Sequence, residues 1–283
     1  MHGTFGTMVC VQTVMHVATS MRNRDWAPQS PVQFYGLLAL SAFAFSMALL
    51  VIRRCLYEVF IKLHYMLALV ALIAIWRHIR IQRIFAQIYV LIASGIFVGT
   101  TILHWVLLVV RNITRERFGS RAQIIRSDDS VQLIIPVNRP FTVYAGMWVY
   151  IWMPGVSPFS MFSSHPFMVT WWEDNSQGKA TSISLLVQKK HGFTQKLVDH
   201  RADELLTWID GPYGEPIDLS SYKNVLLVAS VIGIASQISY IRELLKSHPK
   251  HIFVAWELDD NSNLDWVYQW MDRLLLQDQK SYV

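Results

Sequence analysis

The chain has 283 residues, of which 53% are hydrophobic and only 16% are charged. Soluble globular domains carry about a quarter charged residues, so this composition indicates a chain that is partly membrane-embedded and partly soluble. The net charge is +5, but no basic run is interleaved with aromatic residues, which excludes a nucleic-acid-binding protein. The two cysteines, Cys10 and Cys55, match no disulfide or Cys-x-x-Cys pattern, which excludes a disulfide framework.

The apolar residues are concentrated before Arg111, in four stretches that we predict to be membrane-spanning helices. They comprise residues 3–19, 34–52, 59–76 and 88–110. Arginine and lysine in the flanking loops favour a cytosolic carboxyl-terminal half. No signal peptide precedes the first stretch, and we expect the chain to begin partway into a longer architecture.

Two histidine pairs with the same spacing lie inside these stretches: His2 with His16, and His64 with His78. Fourteen residues span just under four helical turns, about 21 Å, and return to within about 40° of the starting direction. Because the first and third helices run parallel, we expect His2 to lie level with His64 on one side of the membrane. His16 is then level with His78 on the other side.

Any single histidine in a membrane span is more often satisfied by a hydrogen bond to a neighbouring helix. The repeated spacing on parallel helices instead favours bis-histidine ligation of two b-type haems, one near each leaflet. His104, in the fourth stretch, has no partner at this spacing, and we interpret it as structural.

From Phe118 onward, short alternating runs separated by turn residues predict an antiparallel β-barrel. After Tyr222, two apolar strands alternate with two helices, which predicts the beginning of a parallel nucleotide-binding α/β sheet. The expected domains are therefore a helical transmembrane domain at 1–111, a barrel at 118–218 and a partial α/β domain at 222–283.

Several motifs occur in one order along the chain. They are Arg-Arg-x-x-Tyr-Glu-x-Phe within 52–60, His-Pro-Phe within 164–170, Gly-Phe-Thr at 192–194, Gly-Pro-Tyr-Gly at 211–214, and a strand leading to a turn at 225–233. Together they resemble the ferric reductase and NADPH oxidase superfamily, with the character of fungal ferric-chelate reductases. Taken alone, Gly-Pro-Tyr-Gly also fits a plain loop between the barrel and the sheet.

The resemblance implies FAD and two haem b as cofactors and NADPH as the electron donor. The 165–170 segment would lie along the flavin, the amides of 192–194 would receive its pyrophosphate, and the turn at 211–214 would let the dinucleotide approach the backbone. The implied cofactor-binding residues are His165, Pro166, Phe167, Met168, Val169, Thr170, Gly192, Phe193, Thr194, Gly211, Pro212, Tyr213, Gly214 and Gly233, and the implied haem ligands are His2, His16, His64 and His78.

The implied function is electron transfer from cytosolic NADPH to extracellular ferric chelates, with cupric chelates as a second acceptor, in the plasma membrane. No protein acid or base is needed. The implied partners are the bilayer, the chelate, and an iron permease or a full-length reductase. A superoxide-generating oxidase is the alternative within the same class.

The sequence also departs from the family pattern. Ser230-Val231-Ile232-Gly233 stands where a glycine-rich turn is expected, and the family's carboxyl-terminal Cys-Gly element is not found. These departures favour a third reading, a truncated, non-catalytic membrane protein of the same family.

Overall fold

The computed structural model describes residues 2–22, 30–54, 56–79, 84–158, 160, 163–219, 221–247 and 251–278. The chain forms two compact units, residues 1–101 and 102–283. The first unit is entirely helical within the described residues. The second contains the end of the last long helix, a barrel and a small α/β layer.

Four helices make up the amino-terminal part: α1 (His2–Arg22), α2 (Pro31–Ala48), α3 (Tyr57–Ile79) and α4 (Ile84–Asn112). Helix α2 begins three residues before the predicted stretch of 34–52, because Pro31 occupies its first turn and the Ser30 hydroxyl accepts a hydrogen bond from the Gln33 amide at 3.3 Å. A 3₁₀ turn (Leu49–Arg54) follows α2.

Three of these helical segments are long and apolar enough to cross a membrane: Pro31–Arg53, Val59–Ile79 and Ile84–Asn112. The prediction of membrane-spanning helices is therefore confirmed for three of the four stretches. Helix α1 forms, but it is not among the described spanning candidates, because polar residues such as Gln12 and Thr13 interrupt its apolar run. All four expected helices form, and three of them are candidate spans among the described residues.

The first six described strands of the second unit close into an antiparallel barrel in the order β1-β2-β5-β4-β3-β6, which confirms the predicted barrel. The strands are β1 (Ser120–Arg126), β2 (Ser130–Phe141), β3 (Trp148–Trp152), β4 (His165–Asp174), β5 (Ala180–Gln188) and β6 (Glu204–Tyr213), with a short helix α5 (Phe193–Val198) between β5 and β6. Alternate residues such as Val131, Leu133 and Ile135 point inward and are fully buried.

A two-stranded parallel sheet follows the barrel, as the α/β pattern predicted. Strands β7 (Asn224–Ser230) and β8 (His251–Glu257) pair with Val225 opposite Ile252, and helices α6 (Ile234–Ser247) and α7 (Tyr268–Gln277) follow them. Their core is continuous with two residues of the barrel, Trp171 and Leu186. The α/β layer therefore packs directly on the barrel wall.

Asn112, the last residue of α4, is 2% exposed and joins the helix to strand β6. Its side-chain amide donates to the Ile209 carbonyl, and its carboxamide oxygen accepts from the Ile209 amide, both at 2.7 Å. The Asn112 carboxamide thus satisfies both backbone groups of Ile209, as a residue of a neighbouring antiparallel strand would. Its own carbonyl accepts from the Asn138 side chain at 2.6 Å.

We expect Asn112→Ala to lower the free energy of unfolding of the second unit by about 3 kcal/mol, because it leaves a buried amide and carbonyl of Ile209 unpaired. Thermal unfolding of the detergent-solubilised chain, followed by circular dichroism, measures the change. Asn175→Ala is the control, since that side chain accepts from two amides in an exposed turn. Equal losses in the two variants would contradict the role of Asn112.

Candidate functional site

His16 of α1 and His78 of α3 face each other, with ring centroids 6.4 Å apart and ring planes at 87°. Two imidazoles bonded to one metal ion at about 2 Å each would have centroids roughly 6 Å apart. Both rings line a cavity of about 700 Å³ between α1, α2 and α3. The other lining residues are mainly apolar, and they include Val9, Val17, Leu37, Leu40, Phe43 and Ile75. The cavity thus suits a flat, apolar ligand held by two histidines.

The tautomer of His78 follows from its hydrogen bond. Its Nδ1 lies 2.7 Å from the Val32 carbonyl oxygen, which can only accept, so Nδ1 carries the proton. The Nε2 lone pair is then available to a metal ion. A second hydrogen bond of this kind is usual for metal-binding histidines, because it fixes the ring orientation and raises the basicity of the ligand.

Gly36 of α2 makes room for this ring. A Cβ atom there would lie 2.9 Å from both Cε1 and Nδ1 of His78, which is closer than such atoms approach. We expect Gly36→Ala to displace the imidazole and to lower the affinity of the cavity for a histidine-bound ligand about 10-fold. Haem content after purification would measure this, with Gly95→Ala as control, because a Cβ at Gly95 meets nothing within 4 Å. Unchanged occupancy in the Gly36 variant would contradict this reading of the cavity.

His64 lies farther along α3, with its Nδ1 2.8 Å from the Ser46 hydroxyl and its ring stacked on Phe60 at 5.5 Å. A hydroxyl can donate or accept, so this contact leaves the tautomer of His64 open. The side chain of His2, the expected partner of His64, lies outside the described residues. Among the described side chains, the structure brings together His16 and His78, which were expected to lie at one level.

The His-Pro-Phe segment and the Gly-Phe-Thr segment meet on the barrel. The rings of His165 and Phe193 stack at 3.9 Å with their planes 10° apart, and Phe167 lies 6.5 Å from Phe193. Further along β4, Val169 belongs to the barrel core and Thr170 is fully buried, whereas Pro166 is exposed and Met168 is half-buried. The start of β4, rather than its middle, is accessible to a ligand.

Gly192 begins helix α5 with φ +73° and ψ −124°, a combination that is essentially restricted to glycine. Two residues later, the Thr194 hydroxyl accepts from the Lys190 amide at 3.1 Å and closes the loop. A cavity of about 660 Å³ lies beside it, and its lining includes the cationic side chains of Lys196 and Arg201 and the carboxylate of Asp199, which pairs with Lys189 at 2.6 Å. Free helix amides and nearby cations are what an anionic phosphate group needs.

The Gly-Pro-Tyr-Gly segment ends β6 and packs against the turn between β2 and β3. A Cβ at Gly214 would lie 3.2 Å from the Gly146 carbonyl oxygen, so the two backbones touch there. Tyr213 packs on Trp148 at 4.9 Å between ring centroids. Its hydroxyl donates to Asp210 at 2.8 Å. Burial, with that hydrogen bond, raises the pKa of Tyr213 to about 12, so the phenol is neutral at physiological pH.

His104 is placed on α4 with its Nε2 3.6 Å from the other carboxylate oxygen of Asp210. This contact fits the structural interpretation of His104. It also extends the group formed by Tyr213 and Asp210 to the last long helix.

The turn after β7 is strained. Val231 has φ +46°, a conformation that β-branched residues rarely adopt, and the Trp256 indole donates to its carbonyl at 2.8 Å. Gly233, the predicted glycine of this turn, has open space where a Cβ would stand, with only the Ala229 side chain at 3.9 Å. The left-handed position in this turn is therefore occupied by Val231.

Sequence reasoning missed the residues that hold the predicted ones in place, chiefly Gly36, Ser46 and Asn112. A glycine and a serine within an otherwise apolar stretch were a usable signal for close helix packing and polar contacts. Asn112 gave none, because its contact with Ile209 joins positions 97 residues apart.

Comparison with known proteins adds a family profile for an FAD-binding domain, which matches residues 119–217. Ferric/cupric reductase transmembrane component 2 of Saccharomyces cerevisiae is 27% identical over 87% of this chain and 35% of its own length. Component 7 of the same yeast is 25% identical over 84% of this chain and 37% of its own length.

A probable ferric reductase transmembrane component of Candida albicans is 27% identical over 80% of this chain and 33% of its own length. The chain therefore spans about a third of the length of the curated relatives that it matches. Among solved structures, phthalate dioxygenase reductase aligns with a TM-score of 0.41 at 19% identity, over 53% of this chain and 47% of that one.

Proposed function

We infer that this chain, which belongs to the ferric reductase and NADPH oxidase superfamily, transfers electrons across a membrane to ferric chelates, with NADPH as the donor. FAD and two b-type haems supply the redox chemistry, and the protein supplies their placement and electrostatics. The observation that carries the proposal is the facing pair of His16 and His78 in a cavity between helices. Cupric chelates are a second class of acceptor.

Four histidines would hold the haems. His16 and His78 fit one haem, because their rings have the spacing of two ligands on one metal ion and His78 has a free Nε2 lone pair. His64, held by Ser46, would bind the second, with His2 as its partner. With two histidine ligands each, the haem irons would have no open coordination position, which would suit electron transfer.

The barrel would hold FAD where β4 begins. The stacked rings of His165 and Phe193 bring the flavin and pyrophosphate segments of the family pattern next to each other. Gly192 also lines the cavity that contains Lys196 and Arg201, and these two cations would favour a pyrophosphate, since the Asp199 carboxylate in the same lining is paired with Lys189. Tyr213 and the glycines around it would face the nicotinamide dinucleotide.

The proposed orientation of the chain in the membrane rests on the charges of the loops alone. The arginines after α4 favour a cytosolic barrel, so reduction would take place at the opposite, extracellular side of the plasma membrane. Association with an iron permease or a full-length reductase belongs to the same proposal, and co-purification from solubilised membranes would test it.

The decisive experiment measures NADPH-dependent reduction in membranes that contain the chain, with and without superoxide dismutase. Formation of a ferrous chelate that is insensitive to the dismutase supports ferric reduction. Dye reduction that the dismutase abolishes would instead show that dioxygen takes the electron, as in an oxidase. A reduced-minus-oxidised spectrum without a b-type haem band would contradict the proposal.

A second candidate, a non-catalytic member that associates with an active reductase, is favoured by Val231. The left-handed turn at the carboxyl end of β7 lies where a dinucleotide would approach the backbone, and a valine side chain there leaves less room than glycine. Glu257 adds a carboxylate to this edge, where it accepts from the Ser230 hydroxyl at 2.8 Å. Absence of flavin reduction by NADPH in a chain that contains both haem and FAD would support this candidate.

A further inference from the structure

Arg242 of α6 is a cation enclosed between the α/β layer and the barrel. Its guanidinium lies 4.6 Å from the centroid of the Trp171 ring and 4.1 Å from that of Trp172. It donates to the Trp172 carbonyl and pairs with the Asp174 carboxylate at 3.1 Å, and its side chain is only 11% exposed. Two aromatic faces, a carbonyl and a carboxylate thus fix one side chain.

The partners of Arg242 all lie on the strand that begins with the flavin segment. Strand β4 starts at His165, and Trp171 to Asp174 form its other end. Helix α6 itself starts directly after the strained Val231 turn, where a dinucleotide would bind. Arg242 therefore ties the element that follows the dinucleotide turn to the strand that carries the flavin segment.

Burial lowers the pKa of Arg242 somewhat, while Asp174 opposes that change, so the guanidinium stays charged at physiological pH. A buried ion pair of this kind is weak support for stability, since apolar residues often replace both partners together without loss. Removal of one partner alone leaves the other charge unpaired and is destabilising. The planar guanidinium does provide orientation, because stacking and forked hydrogen bonds define one geometry.

We propose that Arg242 is a positioning residue for hydride transfer, which holds the dinucleotide-binding turn in register with the flavin segment of β4. The inference rests on the proposed function. In that step the transferred C–H bond of the nicotinamide breaks, its hydride moves to the flavin with two electrons, NADP⁺ remains, and a solvent proton completes the reduced flavin. A misplacement of about 1 Å in such a reaction can cost about 100-fold in rate.

The test compares Arg242→Met, Arg242→Lys and Arg273→Gln in the full chain loaded with FAD. Arg273 is the matched control, because it bridges α7 to Glu173 of the same strand at 3.0 Å, but its side chain is 56% exposed. Rapid mixing with saturating NADPH gives the rate of flavin reduction. Reduction by dithionite is the chemical control, because dithionite reduces the bound flavin without occupying the dinucleotide site. The thermal midpoint of each variant reports stability.

We expect Arg242→Met to slow flavin reduction by NADPH about 10- to 100-fold, with FAD content and dithionite reduction close to the wild type. Its thermal midpoint should fall, because Asp174 loses its partner. Arg242→Lys keeps the charge but loses the fork and the stacking, so its rate should fall in between. Arg273→Gln should react like the wild type. A primary deuterium isotope effect that grows in Arg242→Met would mark the hydride step itself as the one that slows.

A wild-type rate in Arg242→Met overturns the inference, even though NADPH reduces the flavin as proposed. A wild-type chain that NADPH cannot reduce contradicts the proposed function, and this inference fails with it. Where Arg242→Met loses FAD or unfolds, Arg242→Lys decides: a wild-type rate in that variant overturns the positioning role, and a slowed rate at full FAD content supports it.

Discussion

His78→Ala is expected to remove one of the two b-type haems that we propose, so that the reduced-minus-oxidised absorbance band per mole of protein falls to about half. The imidazole of His78 faces His16 at 6.4 Å, and its Nδ1–H is committed to the Val32 carbonyl at 2.7 Å. Alanine removes both the ligand and this hydrogen bond. Because electrons would leave through this haem, ferric-chelate reduction should fall to background while flavin reduction by NADPH persists.

His104→Ala is the control for His78, since His104 also lies in a long apolar helix but contacts Asp210 instead of another histidine. It should keep the full haem band. A His78→Ala chain with an unchanged band, or an equal loss in both variants, would contradict ligation by His78. His16→Ala should reproduce the loss seen for His78.

The histidine spacing illustrates what periodicity reveals. Helical geometry alone placed His16 and His78 at one level, because fourteen residues return to nearly the same face and alternate spans run parallel. The structure brings these two rings together. The contacts that position the His78 ring were not predictable, since Val32 and Gly36 lie more than 40 positions earlier, on another helix.

The barrel was predictable for a similar reason, because alternation of apolar and polar residues reports which face of a strand is buried. Strand order was not, since β5 lies between β2 and β4 through contacts that no local pattern encodes. Helix α1 was predictable as a helix, although Gln12 and Thr13 make it less apolar than the three candidate spans.

The tie between the α/β layer and the barrel was also beyond local patterns. Arg242 is one charged residue in an amphipathic helix, where solvation is the usual outcome. Only the fold places it between Trp171 and Trp172 and makes it a buried contact. The departure in the turn after β7 was visible in the sequence, because Val231 stands where the family pattern has a glycine-rich turn. The structure gives Val231 a φ of +46°, so a valine side chain occupies the left-handed position where a dinucleotide would approach the backbone.

Gly192→Ala is expected to weaken FAD binding about 10- to 100-fold, because a Cβ at φ +73° and ψ −124° costs about 1–3 kcal/mol and is relieved by opening the 190–194 loop. That loop sets the start of α5 and the Phe193 ring against His165. The flavin-to-protein ratio after purification, and FAD titration of the stripped chain, measure the change. Excess FAD should restore occupancy, since affinity rather than folding is altered.

Gly178→Ala is the matched control for Gly192. Gly178 also has a positive φ, +70°, and a Cβ there meets nothing within 4 Å, but it lies in the turn between β4 and β5 that Asn175 closes. Both substitutions therefore place a Cβ at a positive φ, but in different turns of the barrel. If both variants lose FAD equally, the effect is one of general stability. If neither does, the pyrophosphate does not depend on the conformation of Gly192, and the assignment of the 192–194 segment is wrong.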